Sequence, residues 1–248
     1  MARMKFMNTE VDNLTMDETL VEIDKLIQAN KNAYVVTPNV DHIVKLDRGG
    51  ELCKVYKDAD LILTDGKPLI WISKWYGTPI KEKISGSDLF PLLCKMAAEK
   101  GYTMFLLGAA EGVAAKAARN LMKRYKGLNV VGTYSPPYGF EKDEIEMAKI
   151  ENMIKNAHPH ILIVGLGCPK QELFIHHNKE RLEVPISLGL GASIDFEAGN
   201  IKRAPKWMAD HGLEWVYRIT QDPKRLAKRY LVDDIKILGL AIKYRVKK

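Results

Sequence analysis

A chain of 248 residues, 46% apolar and 28% charged, has the balance of a soluble globular protein with one large core, or one core and an appendage. No stretch reaches the roughly 20 apolar residues of a membrane-spanning helix, and the N-terminus MARMKFMNTEVDN lacks an apolar signal region, so the chain is expected in the cytosol. Cys53, Cys94 and Cys168 are scattered, with no CxxC and no Cys/His pair at metal-ligand spacing, which argues for reduced thiols and against a disulfide framework or a zinc site.

In chain order, residues 15–29 follow a helical period and lead to the β-rich run AYVV at 33–36. A helical stretch over 39–57 precedes LILT at 61–64, and 86–100 reads as helix before TMFLLG at 103–108. Helix over 110–125, strand at NVVG 129–132 and helix over 141–157 continue the alternation. HILIVGLG at 160–167 and PISLGLG at 185–191 close it. The run ILIV is continuously apolar, as a strand buried on both faces requires. Alternating strands and helices predict an α/β fold, a largely parallel Rossmann-like sheet flanked by helices.

Charge separates the rest of the chain from this core. Residues 202–248 hold 13 Lys or Arg against 5 Asp or Glu, a net of +8, whereas residues 1–201 hold 25 against 26, a net of −1. The chain is therefore expected to divide into an α/β core, 1–201, and a basic helical C-terminal appendage, 202–248. A basic tail points to an anionic partner, either nucleic acid or the inner face of a membrane. Asp222-Pro223 reads as N-cap and first helical position, and Lys224, Arg225, Lys228 and Arg229 then fall on one side of a helix. Trp207, Trp215, Tyr217 and Tyr244 add aromatics of the kind that sit at a headgroup layer. The run Ile235 to Ile242 is too short to span a bilayer and long enough to lie in its interface. A solvated basic helix is the plain alternative.

In open parallel sheets ligands bind beyond the carboxyl ends of the strands. There the sequence places Thr37-Pro38-Asn39-Val40-Asp41, Asp65-Gly66-Lys67-Pro68, Gly108 to Gly112, Gly165 to Glu172 and Gly189 to Asp195. Gly108 and its neighbours either present backbone N–H groups to a phosphate or simply make a tight turn. Gly165 and Gly167 remove side chains where a nucleotide would approach. Asp65 is either turn chemistry or a carboxylate with the reach of a general base. Asp58-Ala59-Asp60 imitates a metal-binding DxD but precedes its strand, and reads as a solvated helix exit. His158, His160, His176 and His177 read as core or surface residues rather than ligands. A nucleic-acid module would interleave aromatic and basic residues along the core, and the core is net −1.

The blocks Thr37-Pro38-Asn39, Thr64-Asp65-Gly66, Glu82 to Asp88, Gly165-Leu166-Gly167-Cys168-Pro169-Lys170-Gln171-Glu172, Arg203-Ala204-Pro205-Lys206-Trp207 and Gly212-Leu213-Glu214-Trp215 resemble the bacterial family of N-acetylmannosaminyl- and related glycosyltransferases, in order from about residue 10 to 232. The family builds wall teichoic acid linkage units, enterobacterial common antigen and some capsules. The resemblance implies a cytoplasmic enzyme, peripheral on the inner face of the membrane. It implies inverting transfer of N-acetylmannosamine from a UDP-sugar to the 4-hydroxyl of N-acetylglucosamine on undecaprenyl diphosphate, without metal or cofactor. Relatives use UDP-glucose or UDP-N-acetylmannosaminuronic acid, and a homo-oligomer is compatible with either. By resemblance Asp65 is the general base, Thr37 and Asn39 place donor or acceptor, and Gln171 contacts the sugar or diphosphate. Asp195 helps to hold the nucleotide, with Gly108, Gly165, Gly167 and Lys170 beside it. Lys83 stands where the family commonly has Arg and lacks the planar fork of a bidentate phosphate clamp. Arg218 and Arg225 match arginines that close over the site, and Lys228 with Arg229 approximates a third.

Overall fold

The apolar runs form six strands: β3 (Ala33–Val36), β4 (Leu61–Ile62), β5 (Thr103–Gly108), β6 (Asn129–Tyr134), β7 (Ile161–Gly165) and β8 (Ile186–Gly189). They pair in one parallel sheet, in the order β4-β3-β8-β7-β5-β6. This computed structural model describes residues 3–205, 207–208 and 211–246; Lys206 and the side chain of Arg225 lie outside the described residues.

The strands are apolar throughout because both faces of the sheet are covered. Val35, Leu106, Ile163 and Leu188 point into one apolar cluster with α1 (Met16–Ala29), α5 (Gly86–Lys100), α6 (Val113–Arg124) and α9 (Ser193–Ala198). Tyr34, Val36, Leu107 and Val164 point into the other, with α2 (Val40–Asp47), α3 (Glu51–Lys57), α4 (Lys67–Trp75), α7 (Glu144–Ala157) and α8 (Lys170–Leu182).

The sequence reading needs amending in three places. The helix expected over 39–57 is two helices, because Gly49 and Gly50 take φ of 75° and 95° and break it between α2 and α3. Helix α4, which follows Asp65 directly, was not expected. Nor was the antiparallel hairpin of β1 (Arg3–Phe6) and β2 (Thr9–Asp12). Asp12 ties that hairpin to the sheet edge, accepting two bonds from Arg3 at 2.9 and 3.0 Å and one from the backbone N–H of Ile62 at 2.9 Å.

Beyond residue 212 come α10 (Glu214–Gln221), α11 (Pro223–Lys228) and, after a π turn and a 3-10 turn, α12 (Ile237–Val246). Pro223 opens its helix as expected. Ile237 and Ala241 are buried in the second apolar cluster, so the last helix packs back on the sheet layer beside α2 and α4.

Candidate active site

The strand order decides which strand-end loops meet. Those after β4, β3, β8 and β7 are consecutive along the sheet edge and surround one cleft of about 750 Å³, whose far wall is α10 and the turns after α11. Thr37, Asn39, Asp65, Lys83, Gly167, Gln171, Arg218 and Arg229 all line it. That volume suits a nucleotide-sized ligand. The loop after β5 lies one strand further out and is not part of the lining.

Asp65 sits half-buried on the floor, its backbone N–H bonded to Pro38 O at 2.8 Å. Burial pushes its carboxyl up; Lys83 pulls it down, Glu214 raises it, Arg218 and His42 lower it, and the net result is about 6. Among the described residues no hydrogen bond occupies the carboxylate. A carboxylate of that proton affinity in an open cleft can accept a proton near neutral pH.

Behind Asp65 a buried polar chain links two of the loops. Asn39 caps α2: its Oδ1 accepts from the backbone N–H of His42 at 3.4 Å and lies 2.8 Å from His42 Nδ1. His42 Nε2 meets Glu172 Oε1 at 3.2 Å, and the same oxygen accepts from Gln171 Nε2 at 2.8 Å. The Gln171 Oε1 accepts from the backbone N–H groups of Gly167 at 3.2 Å and Gly191 at 3.0 Å. The Gln171 amide is therefore engaged in holding the β7 and β8 loops together. Burial opposes charge on His42, but neighbouring Cys168 and Glu172 outweigh it and push the imidazole up to about 10, while the same pairing holds Glu172 below its usual range against burial.

His42, Cys168 and Glu172 place ligand atoms within 4.8 Å of one another, a trio that sequence spacing did not reveal. Its donors suit zinc in type. Without an ion the same His42 and Glu172 atoms form a buried pair 3.2 Å apart. Its sign follows from the raised folded-state value. His42's share of the stability is fully present below about 6.5, the ordinary His value, and is lost as pH rises through about 10, whereas Glu172's share is present above its ordinary 4.5 and is lost as pH falls through its lowered folded value. Glu172→Gln is expected to cost about 3–5 kcal/mol by leaving a buried charge unpaired, and to flatten that alkaline loss in melting temperature measured against pH. An unchanged melting profile counts against the pair.

Cations gather on the opposite rim. Lys83 Nζ bonds Asp88 Oδ2 at 2.7 Å and Ser85 Oγ at 3.3 Å. Burial raises the Asp88 carboxyl, but Lys83, Ser85 and Arg203 hold it down at about 2. Arg218 lies 5.8 Å over the Phe196 ring. Arg229 stands between Asp41 at 3.8 Å and Asp234 at 3.7 Å, with its Nη2 3.4 Å from Asn39 Oδ1. It does not share the exposed face of Lys224 and Lys228 as the helical spacing predicted: it follows the buried Leu226 by three residues and so lies on the inward side.

Other expected residues lie away from the cleft. A Cβ on Gly108 would stand 2.5 Å from Gly165 O, and one on Gly165 2.9 Å from Gly191 O, so both glycines serve close packing of the strand ends. Lys170 points to a separate cavity and pairs with Glu141 at 2.7 Å. Asp195 is not among the residues lining the cleft. The Arg225 side chain lies outside the described residues. Sequence reasoning missed His42, Glu214 and Asp234 and gave Asp41 a loop but no role; all four line the cleft. Burial and Asp41 raise Asp234 to about 6 against the pull of Arg229. The Asp233-Asp234 pair inside a basic tail was the available signal.

A nucleotide-sized cleft at the strand ends of a parallel sheet, floored by one carboxylate and rimmed by cations, has the features of a group-transfer site. The family model for the glycosyl transferase WecG/TagA/CpsF family matches residues 4–248, and the chain belongs to that family. An N-acetylglucosaminyldiphosphoundecaprenol N-acetyl-beta-D-mannosaminyltransferase of Bacillus spizizenii is 32% identical over 223 residues, 90% of this chain and 83% of that protein. Proteins of the same name from Bacillus subtilis and Staphylococcus aureus are 33% and 27% identical, over 77% and 92% of this chain and 71% and 88% of theirs.

Proposed function

We propose that the chain transfers N-acetylmannosamine from a UDP donor to the 4-hydroxyl of N-acetylglucosamine carried on undecaprenyl diphosphate, with inversion, at the inner face of the membrane. The observation that carries the reading is Asp65, a half-buried carboxylate at about 6 on the floor of a cleft that Lys83, Arg218 and Arg229 also line; family membership and the relatives' names support the substrates. Asp65 takes the proton of the acceptor hydroxyl as its oxygen attacks the anomeric carbon. The bond from that carbon to the diphosphate oxygen breaks, and UDP leaves with the electron pair.

The charge that builds on the diphosphate needs fixed donors. On this reading Lys83 and Arg218, which line the cleft, supply them, with Thr37 and Asn39 orienting the sugars. Gln171 acts through the loops it holds. Residues 1–201 are the catalytic core on this reading, and 202–248 an appendage that both completes the cleft and meets the anionic membrane.

The direct test incubates the protein with a panel of UDP-sugars and a lipid-diphosphate N-acetylglucosamine analogue, in EDTA, and measures UDP release. Release is expected with UDP-N-acetylmannosamine at an undiminished rate. Turnover with UDP-glucose or UDP-N-acetylmannosaminuronic acid alone would reassign the donor, and activity restored only by Mg²⁺ or Mn²⁺ would sink the metal-free step.

A further inference from the structure

Two indoles on a helix that sequence reading overlooked are exposed side by side. Trp71 and Trp75 are one turn apart on α4, 53% and 45% exposed. On α12 the outward positions are Leu238, Ile242 and Val246, at 65%, 60% and 82%, continuing Ile235 at 57%. The two helices are fastened to each other. Tyr76 Oη donates to Ala241 O at 2.6 Å, and the Arg245 guanidinium lies 4.2 Å over the Trp75 ring. On its other side α12 is tied to α2, Lys243 and Tyr244 each bonding Asp47 at 2.7 Å. The tryptophans and the aliphatic stripe therefore stand on two helices held side by side, with Arg245 reaching across to Trp75, and soluble monomers seldom leave that many large apolar side chains bare together.

We propose that α4 of the catalytic core and α12 of the appendage form a single docking face for an anionic bilayer, with Trp71 and Trp75 seated in the headgroup layer beside the α12 stripe. The inference builds on the membrane location proposed above and is independent of the transfer reaction. Charge selects the occupant. Exposed Lys74 stands on α4, Lys243 and Arg245 on α12 and Lys236 just before it, so packing two copies through these helices brings like charges together, whereas an anionic lipid surface neutralises them. No helix among the described residues is long and apolar enough to cross a membrane, and a stripe of this length beside paired indoles suits a helix lying in the interface.

The placement also orients the cleft. Lys67 and Pro68 at the start of α4, and Ile235 and Ile237 at the start of α12, line it. The site thus opens at the edge of the docking face, where a lipid-anchored diphosphate can reach it without leaving the headgroup layer.

The test is sedimentation with phosphatidylglycerol/phosphatidylcholine vesicles at low and high salt. Trp71→Ser/Trp75→Ser is expected to lower partitioning about ten-fold or more at high salt, where screening leaves the apolar contribution dominant. In a Trp207→Phe/Trp215→Phe variant, where Trp71 and Trp75 are the remaining indoles, bilayer-placed brominated lipid is expected to quench and blue-shift the emission; this measurement decides the matter if the serine variant does not fold. Unchanged partitioning of a folded serine variant, or indoles that lipid bromines do not quench, overturns the proposal. So does a concentration-dependent dimer that the serine variant loses while its vesicle binding persists, which assigns the face to a second copy. A protein that docks through α4 yet releases no UDP from any donor sinks the transferase reading and leaves this one standing.

Discussion

Asp65→Asn is expected to lower turnover by about 10²–10⁴ while leaving donor affinity within a few-fold, because the amide keeps the shape of the carboxylate and cannot take the acceptor proton. The same substitution is expected to raise the melting temperature at pH 8. Burial lifts Asp65 from its ordinary 3.8 to about 6, so the folded state prefers the protonated acid. The stability linked to it is fully present below 3.8 and is lost as pH rises through about 6. At pH 8 the wild-type protein carries the cost of an ionised, half-buried carboxylate, up to about 3 kcal/mol. Asn removes that cost. The wild-type rate should accordingly fall as pH drops below about 6, the acid limb reporting the base. Turnover near wild type in the Asn variant, or an acid limb near 4, removes Asp65 from the role.

The fold was legible because parallel strands buried on both faces must be apolar, and AYVV, TMFLLG and HILIVGLG therefore stand out of the sequence. The site was legible only as far as it follows from being at a strand end. Loop membership placed Thr37, Asn39, Asp65 and Gly167 correctly in the cleft, but the same rule favoured Gly108, which the strand order carries one position away. Neighbouring residues on a helix point about 100° apart, so Lys170 reaches Glu141 on the surface while Gln171 and Glu172 turn into the core, and no motif spacing separates those fates. His42 and Glu172 are 130 residues apart in the chain; only the pairing of β3, β8 and β7 brings their loops together. Arg229 illustrates a local miss. It stands about 100° round the helix from Lys228 and three residues after the buried Leu226, so it turns to Asp41 and Asp234.

Deleting residues 202–248 is expected to lower transfer to a soluble acceptor analogue by about 10³ or more, beyond any loss of vesicle binding. The removed segment supplies Glu214, Trp215, Arg218, Arg229 and Tyr230 to the cleft wall, so the core alone opens Asp65 to water and keeps Lys45, Lys67 and Lys83 on the lining, of which Lys45 and Lys83 are already paired with Asp41 and Asp88 at 2.7 Å. Re-solvation removes the leading cause of the raised Asp65 value, and Lys83 and His42 remain to pull it down. The acid limb of any residual activity should therefore move from about 6 toward the ordinary carboxylate range. Truncation also uncovers the surface under Ile237 and Ala241, and a lower melting temperature alone would not separate a missing wall from a weakened core. Arg218→Ala in the full chain makes that separation. It keeps the apolar packing and most of the +8 charge, so vesicle binding and melting should be nearly unchanged while transfer falls about 10²-fold. A truncated core that transfers at the full rate, or an Arg218→Ala protein that does, would mean that the site is complete within residues 1–201 and that the C-terminal helices serve only to hold the enzyme at its lipid substrate.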